Sequence, residues 1–385
     1  MRNYGVPGQW GLEPLLDCGA WAAKMFGHED SGLACGECWV CHMRQTFAEV
    51  WRVLRADGTL WVNIGDAYSQ SGCGSTGNTI TGRGRPDMRL FRSLRQDATP
   101  AKNLHCQPWR LGFALQADGW ILRDDIIWHK PAPMPESTKD RPTRAHEYVL
   151  FLTKRGRYFY DAEAIKEPQS KSTGQHCGRH GRQVGTLKTA IAKMGETRAN
   201  LAFRAATCAA ILPDGKRNIR DVWTISQEHD HRTGKAHFAV FPCELPRRCI
   251  LAGTSARGAC PKCGAPWARM LQKQPATMNI RVRDNLKGIM ACKSGVDGKY
   301  SATDEEMQTY GRETLGTSKT TGWQPTCDCG GQAPVPCTVL DPFAGTFTTC
   351  MVALQLGRRA IGIELNPSYV EVGRQRCQVT AGLPL

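Results

Sequence analysis

Residues Thr338 to Thr349 read TVLDPFAGTFTT. A short apolar run enters an acidic residue, a tight turn follows, and a helix opens. Glu364 stands 23 residues beyond Asp341, at the end of the next expected strand, AIGI (Ala360 to Ile363). In an open α/β sheet this spacing suits a nucleoside. The loop after the first strand cradles it, and the acid after the second accepts bonds from ribose hydroxyls. A pyrophosphate-bearing cofactor calls for G-x-G-x-x-G, so that the backbone can approach the phosphates. Gly345 stands alone in this loop, which favours a phosphate-free nucleoside such as S-adenosylmethionine. An ordinary strand–turn–helix corner would carry the same residues.

Working outward, strand and helix signals alternate at both ends of the chain. Thr46 to Arg55 places Phe47, Val50, Val53 and Leu54 on one helical face, and Asp57-Gly58 ends it. Thr59 to Ile64 (TLWVNI) reads as a buried strand. A helix is expected over Pro108 to Gln116, then strands over Asp125 to Trp128 and Glu147 to Thr153. Nearer the C-terminus, helices are expected over Pro246 to Ala252, from Thr349 to Gln355, and over Ser368 to Cys377. Such alternation predicts one parallel α/β sheet, doubly wound and assembled from both ends of the chain.

The 385 residues carry a formal charge of +15. That balance points to a polyanionic partner, nucleic acid before an acidic membrane surface. The cations concentrate in two stretches. One is the Gly/Ser/Arg-rich run Ser69 to Asn103. The other spans residues 165–235, with thirteen Lys or Arg against six Asp or Glu. Phosphate neutralisation needs such an excess, although a solvated insertion would show it too. No apolar run is long enough to cross a membrane and no signal core opens the chain, so a cytoplasmic protein without membrane association is expected.

The 338–349 segment resembles the glycine-rich motif of amino-group DNA methyltransferases, D-P-F-x-G-S-G-T-T. Further stretches resemble that family: EVWRVLRADGTLWVNIGDAYS, PWRLGFALQADGWILRDDIIWHKPAPMPES, HEYVLFLTK, HFAVFPCELPRRCILAGTS and IGIELNPSYVEVGRQR. The resemblance implies a Rossmann-like, S-adenosylmethionine-dependent methyltransferase sheet in circularly permuted motif order, the cofactor motif coming last. It implies methyl transfer to the exocyclic amine of cytosine (N4) or adenine (N6) in double-stranded DNA. The implied cofactor site is Asp341, Pro342, Phe343, Ala344, Gly345, Thr346, Thr348, Glu364 and Asn366. Phe347 departs from the family, which usually has Gly there. Its Cβ disfavours a positive φ, and its ring either crowds the cofactor or packs outward against the helix.

The family's catalytic loop is (Asp/Ser/Asn)-Pro-Pro-(Tyr/Phe/Trp). It accepts the amino hydrogens and stacks an aromatic on a flipped base. No such tetrapeptide occurs in these 385 residues, and the catalytic residues stay unassigned. In relatives that motif lies just ahead of a segment resembling Arg2-Asn3-Tyr4-Gly5. The expectation is a chain that begins downstream of it; the alternative is an inactive, methyltransferase-like DNA-binding protein. Such a chain would bind DNA and transfer methyl groups poorly. Asn63 and Asp66 remain as polar groups facing the cleft or as structural caps.

Eighteen cysteines without a secretory signal read as thiols and metal ligands. Cys260-x-x-Cys263 and Cys327-x-Cys329 flank a 63-residue insertion and suit a four-sulfur structural zinc. Cys18, Cys35, Cys38 and Cys41 are candidates for a second site. The remaining cysteines read mostly as small core hydrophobes. The expected organisation has a catalytic-half α/β segment over 1–160 and a basic insertion, the candidate target-recognition region, over 161–236. The cofactor-binding half covers 237–259 and 336–385, and a zinc-ribbon-like insertion covers 260–335. No obligate protein partner is implied.

Overall fold

The computed structural model describes residues 38–69, 100, 102–168, 216–227, 241–274 and 317–381. The chain divides into two units. The first takes in Met1–Tyr160, Arg220–Pro266 and Pro334–Leu385; the second takes in Asp161–Ile219 and Trp267–Ala333.

In the first unit, helix α1 (Trp39–Val53) begins at Trp39 rather than Thr46, because its apolar face extends back through Cys41, Val40 and Trp39, all buried. It leads into strand β1 (Thr59–Ile64). Helix α2 (Gln107–Ala117) then crosses to strand β2 (Ile121–His129), which turns back into β3 (His146–Thr153). A fourth, short strand, Val222–Thr224, closes this sheet on the far side of β2.

Strand direction and pairing correct the expectation of one parallel sheet assembled from both ends: among the described strands, β1–β3 and the short strand form one sheet and the strands near the C-terminus another. β3 lies between β1 and β2 and runs antiparallel to both, with Thr153 opposite Thr59 on one side and Ile121 on the other. The short strand pairs parallel to β2. The connections explain the mixture. A helical crossover carries β1 to β2 in one direction, whereas the link after β2 contains no helix, so the chain can only return. β3 is buried from Val149 to Thr153 without a break, the mark of a strand covered on both faces. One face meets Phe47 and Val50 of α1 and Leu111, Ala114 and Leu115 of α2. On the β1–β3 pair, Trp61 stacks on its register partner Phe151, ring centroids 4.1 Å apart. Arg44 of α1 binds both carboxylate oxygens of Asp118 at the end of α2, tying the two helices together.

The same unit holds helix α3 (Glu244–Gly253), and after Pro334 a βαβα segment. It comprises strand β4 (Thr338–Asp341), helix α4 (Thr348–Gln355), strand β5 (Arg359–Gly362) and helix α5 (Pro367–Ala381). β4 and β5 form a two-stranded parallel pair. Ile250 of α3 packs against Val352 and Ala353 of α4. Buried Arg358 binds the Thr254 hydroxyl at 3.1 Å, joining the ends of the two helices.

The second unit contains an antiparallel ladder of β6 (Trp267–Gln274) and β7 (Thr317–Pro325), Trp267 standing opposite Pro325. Buried Asp161 receives the Arg269 guanidinium at 2.7–3.2 Å, and that guanidinium lies over Trp323. Among the described residues no helix is long and apolar enough to cross a membrane.

Leu152 is fully buried where β3 meets both helices. Leu152→Ala is expected to cost about 2–5 kcal/mol through lost burial and a residual cavity. Chemical denaturation measures this, and a loss below about 1 kcal/mol would show that β3 is not the centre of the core.

Candidate functional site

The end of β4 and the turn that follows build a tight cradle. The Asp341 carboxylate accepts the Phe343 N–H at 3.0 Å, and its backbone carbonyl accepts Ile363 N–H at 2.9 Å. Burial pushes the Asp341 carboxyl above its ordinary value, against the lowering effect of hydrogen bonds from the Thr349 hydroxyl and the Phe343 amide; nearby Glu364 raises it further. The turn bends through Gly345, at φ 53°.

Glu364, just past β5, holds the turn from the other side. One of its carboxylate oxygens accepts Gly345 N–H and the other Asn366 N–H, each at 2.8 Å. A carboxylate offers about four lone-pair sites, so acceptor capacity remains for hydroxyls. Asn366 in turn caps α5: its side-chain oxygen accepts Ser368 N–H at 3.0 Å, and Pro367 occupies the first helical position. Phe343 is half-exposed, its ring edge against Phe47 at 6.4 Å. Ile363 and Leu365 flank Glu364 with exposed apolar side chains. Thus Asp341, Gly345, Glu364 and Asn366 converge. Ala344, Thr346 and Thr348 are buried beneath the turn, where they shape it. Pro342 lies half-buried in the turn.

The donor set fits a ribose-bearing cofactor without phosphates. A half-buried carboxylate faces the site, and a single turn of backbone, rather than a glycine triplet, lines it.

Phe347 adopts the left-handed conformation, φ 63° and ψ 34°, at the N-terminus of α4. For a residue with a Cβ this costs about 1–2 kcal/mol. In the structure its ring packs on Gly373 of α5. Sequence reading missed the partners there, Gly373 and Arg376. A glycine inside a helix was the available signal, since it costs about 1 kcal/mol against Ala unless something packs on it.

Asn63 donates to the Glu147 carboxylate at 3.2 Å and to the Tyr148 carbonyl at 3.1 Å. Asp66 accepts the N–H groups of Ala67 and Gln107, so it caps α2 from a neighbouring segment. Both therefore have structural work in the fold.

Cys260 and Cys263 sit on a turn in which Gly264 N–H bonds back to the Cys260 carbonyl at 2.8 Å. Cys327 and Cys329 follow β7. Trp267 and Pro325 share one end of the ladder, and each pair adjoins that end along the chain. Cys38, the residue before α1, and Cys41, in its first turn, are buried in the hydrophobic core, whereas Cys18 and Cys35 lie outside the described residues. The basic stretches 69–103 and 165–235 fall largely outside them as well. Burial pushes the Cys350 thiol up to about 12, as expected of a core hydrophobe.

Residues 27–260 and 337–375 match a family model described as N6/N4 DNA methylase. The Type II methyltransferase M.Cfr9I of Citrobacter freundii is 32% identical over 379 residues, covering 98% of this chain and 77% of the relative. The Type II methyltransferase M.XycI of Xanthomonas campestris pv. cyanopsidis is 35% identical over 382 residues, with the same coverage. Among solved structures, the cytosine-N4-specific PvuII DNA methyltransferase aligns with a TM-score of 0.41 at 16% identity, over 88% of this chain and 70% of that one.

The raised Asp341 carboxyl sets a pH dependence. A carboxyl whose folded value is raised stabilises the fold below its ordinary value, about 4, and loses that contribution as pH rises through the raised value. Asp341→Asn keeps an acceptor for Phe343 but never ionises. Its melting temperature is expected to exceed the wild type's at pH 7 and to converge with it below about pH 4. Parallel melting curves across that range would contradict the assignment.

Proposed function

The chain belongs to the N6/N4 DNA methylase family, and we propose that it transfers a methyl group from S-adenosylmethionine to the exocyclic amine of cytosine (N4) or adenine (N6) in a short DNA sequence. The observation that carries this reading is the Glu364 clamp across the turn after β4. It leaves a carboxylate, with acceptor capacity to spare, beside an exposed apolar rim. The +15 charge suits a DNA substrate. The Type II relatives suit a modification role beside a restriction activity, in the cytoplasm.

Asp341, Phe343, Gly345, Glu364 and Asn366 would hold the cofactor, with Glu364 accepting from the ribose hydroxyls. When bound, S-adenosylmethionine supplies an electrophilic methyl group on a sulfonium. The chain's own residues orient the nucleoside: Asp341 and Glu364 shape the turn, and Phe343, Ile363 and Leu365 give it an apolar boundary. The cofactor elements follow the β1–β3 sheet in the chain, which supports the permuted motif order. Residues 161–236 are proposed as the target-recognition region on charge and position.

A second reading is a DNA-binding protein without transfer activity. It is favoured by the lack of an (Asp/Ser/Asn)-Pro-Pro-aromatic tetrapeptide in these residues and by the structural engagement of Asn63 and Asp66. Incorporation of tritiated methyl groups into mixed genomic DNA decides between the two. Robust incorporation establishes transfer, whereas salt-sensitive DNA binding without incorporation establishes the second reading. Glu364→Ala is expected to weaken S-adenosylmethionine binding by about 1.5–3 kcal/mol in calorimetry, the range for a hydrogen bond to a charged group. Unchanged affinity would remove Glu364 from the site.

The four-cysteine group is proposed as a structural zinc site, in a zinc-ribbon-like element that closes the base of the 260–335 insertion. An all-sulfur set of four is the donor set zinc prefers in closed tetrahedral sites. Elemental analysis of protein purified without chelator is expected to find at least one zinc per chain. Replacing Cys263 is expected to unfold the insertion while sparing the first unit's core, because metal binding there is local folding energy. Metal-free protein with the insertion intact would overturn the assignment.

A further inference from the structure

The turn that contains Phe347 is gripped from α5 at two points. A Cβ built on Gly373 would lie 2.5–2.9 Å from three atoms of the Phe347 ring, so the ring fills the space where a side chain at 373 would stand. One turn further along the helix, Arg376 Nη1 donates to the Thr346 carbonyl at 2.6 Å, the Thr346 hydroxyl at 2.8 Å and the Thr348 hydroxyl at 3.2 Å. These residues lie on either side of Phe347. The left-handed backbone is thus braced before, at and after the strained residue. A strained conformation persists only where its surroundings over-determine it, and α5 supplies that bracing.

We propose that Gly373 and Arg376 form a latch on α5 that positions the cofactor turn, with Arg376 acting as a positioning residue through Thr346 and Thr348. The latch lets this chain keep Phe at position 347. The ring needs an absent side chain opposite it, so Gly373 and Phe347 are coupled: a methyl group at 373 is tolerated only if the ring is gone. Arg376 adds a charge-assisted grip on the turn's carbonyl and hydroxyls, which keeps Gly345 N–H directed at Glu364. The positioning role rests on reading this turn as the S-adenosylmethionine site.

Calorimetric titration of the full chain with S-adenosylmethionine tests it, with affinity for a mixed-sequence DNA duplex as the control. Arg376→Gln is expected to bind S-adenosylmethionine about tenfold more weakly, the effect of losing charge-assisted hydrogen bonds, with DNA affinity unchanged. Arg376→Lys is expected to recover part of the loss. Gly373→Ala is expected to weaken cofactor binding and lower the melting temperature, and adding Phe347→Gly is expected to reverse both. Wild-type binding with unaltered affinity in Arg376→Gln overturns the positioning role alone. A double variant no better than Gly373→Ala overturns the coupling. A wild-type chain that does not bind S-adenosylmethionine overturns the reading of the turn, and the positioning role with it.

Discussion

The return of β3 between β1 and β2 is the constraint on which the first unit depends. A strand buried continuously from Val149 to Thr153 must satisfy its backbone groups on both sides. It does so only by pairing with β1 and β2 together. That pairing fixes the face of each strand presented to α1 and α2, because a one-residue slip would turn every side chain to the opposite face. It also brings the ends of β1 and β2 and the beginning of β3 to the same edge. There Asn63 reaches Tyr148, and Lys130 pairs with Glu147 beneath its contact with the Trp128 ring. Polar side chains at this edge are committed to one another and to the cap of α2.

The turn after β4 obeys a different rule. Its backbone is short and bent, and its conformation is imposed by side chains from outside it. Glu364 pulls on one side of the turn and Arg376 on the other. The two grips have opposite charge and act on different polar groups, N–H on one side and carbonyl or hydroxyl on the other. A nucleoside would therefore meet a cradle already organised before binding, which lowers the ordering cost of association.

The second unit is small in its described part, and its order rests on a few strong contacts. Asp161 is nearly inaccessible, and an unpaired carboxylate there would be unfavourable. The bidentate Arg269 guanidinium resolves this, and Trp323 covers its face. The same side chain of Asp161 accepts Ala164 N–H, capping a short 3-10 turn. One buried carboxylate thus anchors the ladder of β6 and β7 to the segment that enters the unit.

Much of this protein was legible without a structure, because helix and strand periods, turn residues and cysteine spacings are local. The boundaries of β1 and the existence of α2, β3, β4, α4, β5 and α5 follow from apolar periodicity and turn chemistry. The acid at the end of each parallel strand marked the turn after β4. The Cys260, Cys263, Cys327 and Cys329 pairs announced a four-sulfur group. The direction of β3 was not legible, since it depends on how a helix-free link folds back over a sheet that does not exist in one dimension. Nor was the role of Asp66, which caps a helix beginning 41 positions later. The sequence showed that Phe347 strains its turn, but the surface its ring packs on was decided by tertiary packing. Only the tertiary structure brings Gly373 to the ring and Arg376 to the adjoining carbonyl, because contacts across 26 to 30 positions are set by the docking of whole elements and leave no periodic trace along the chain.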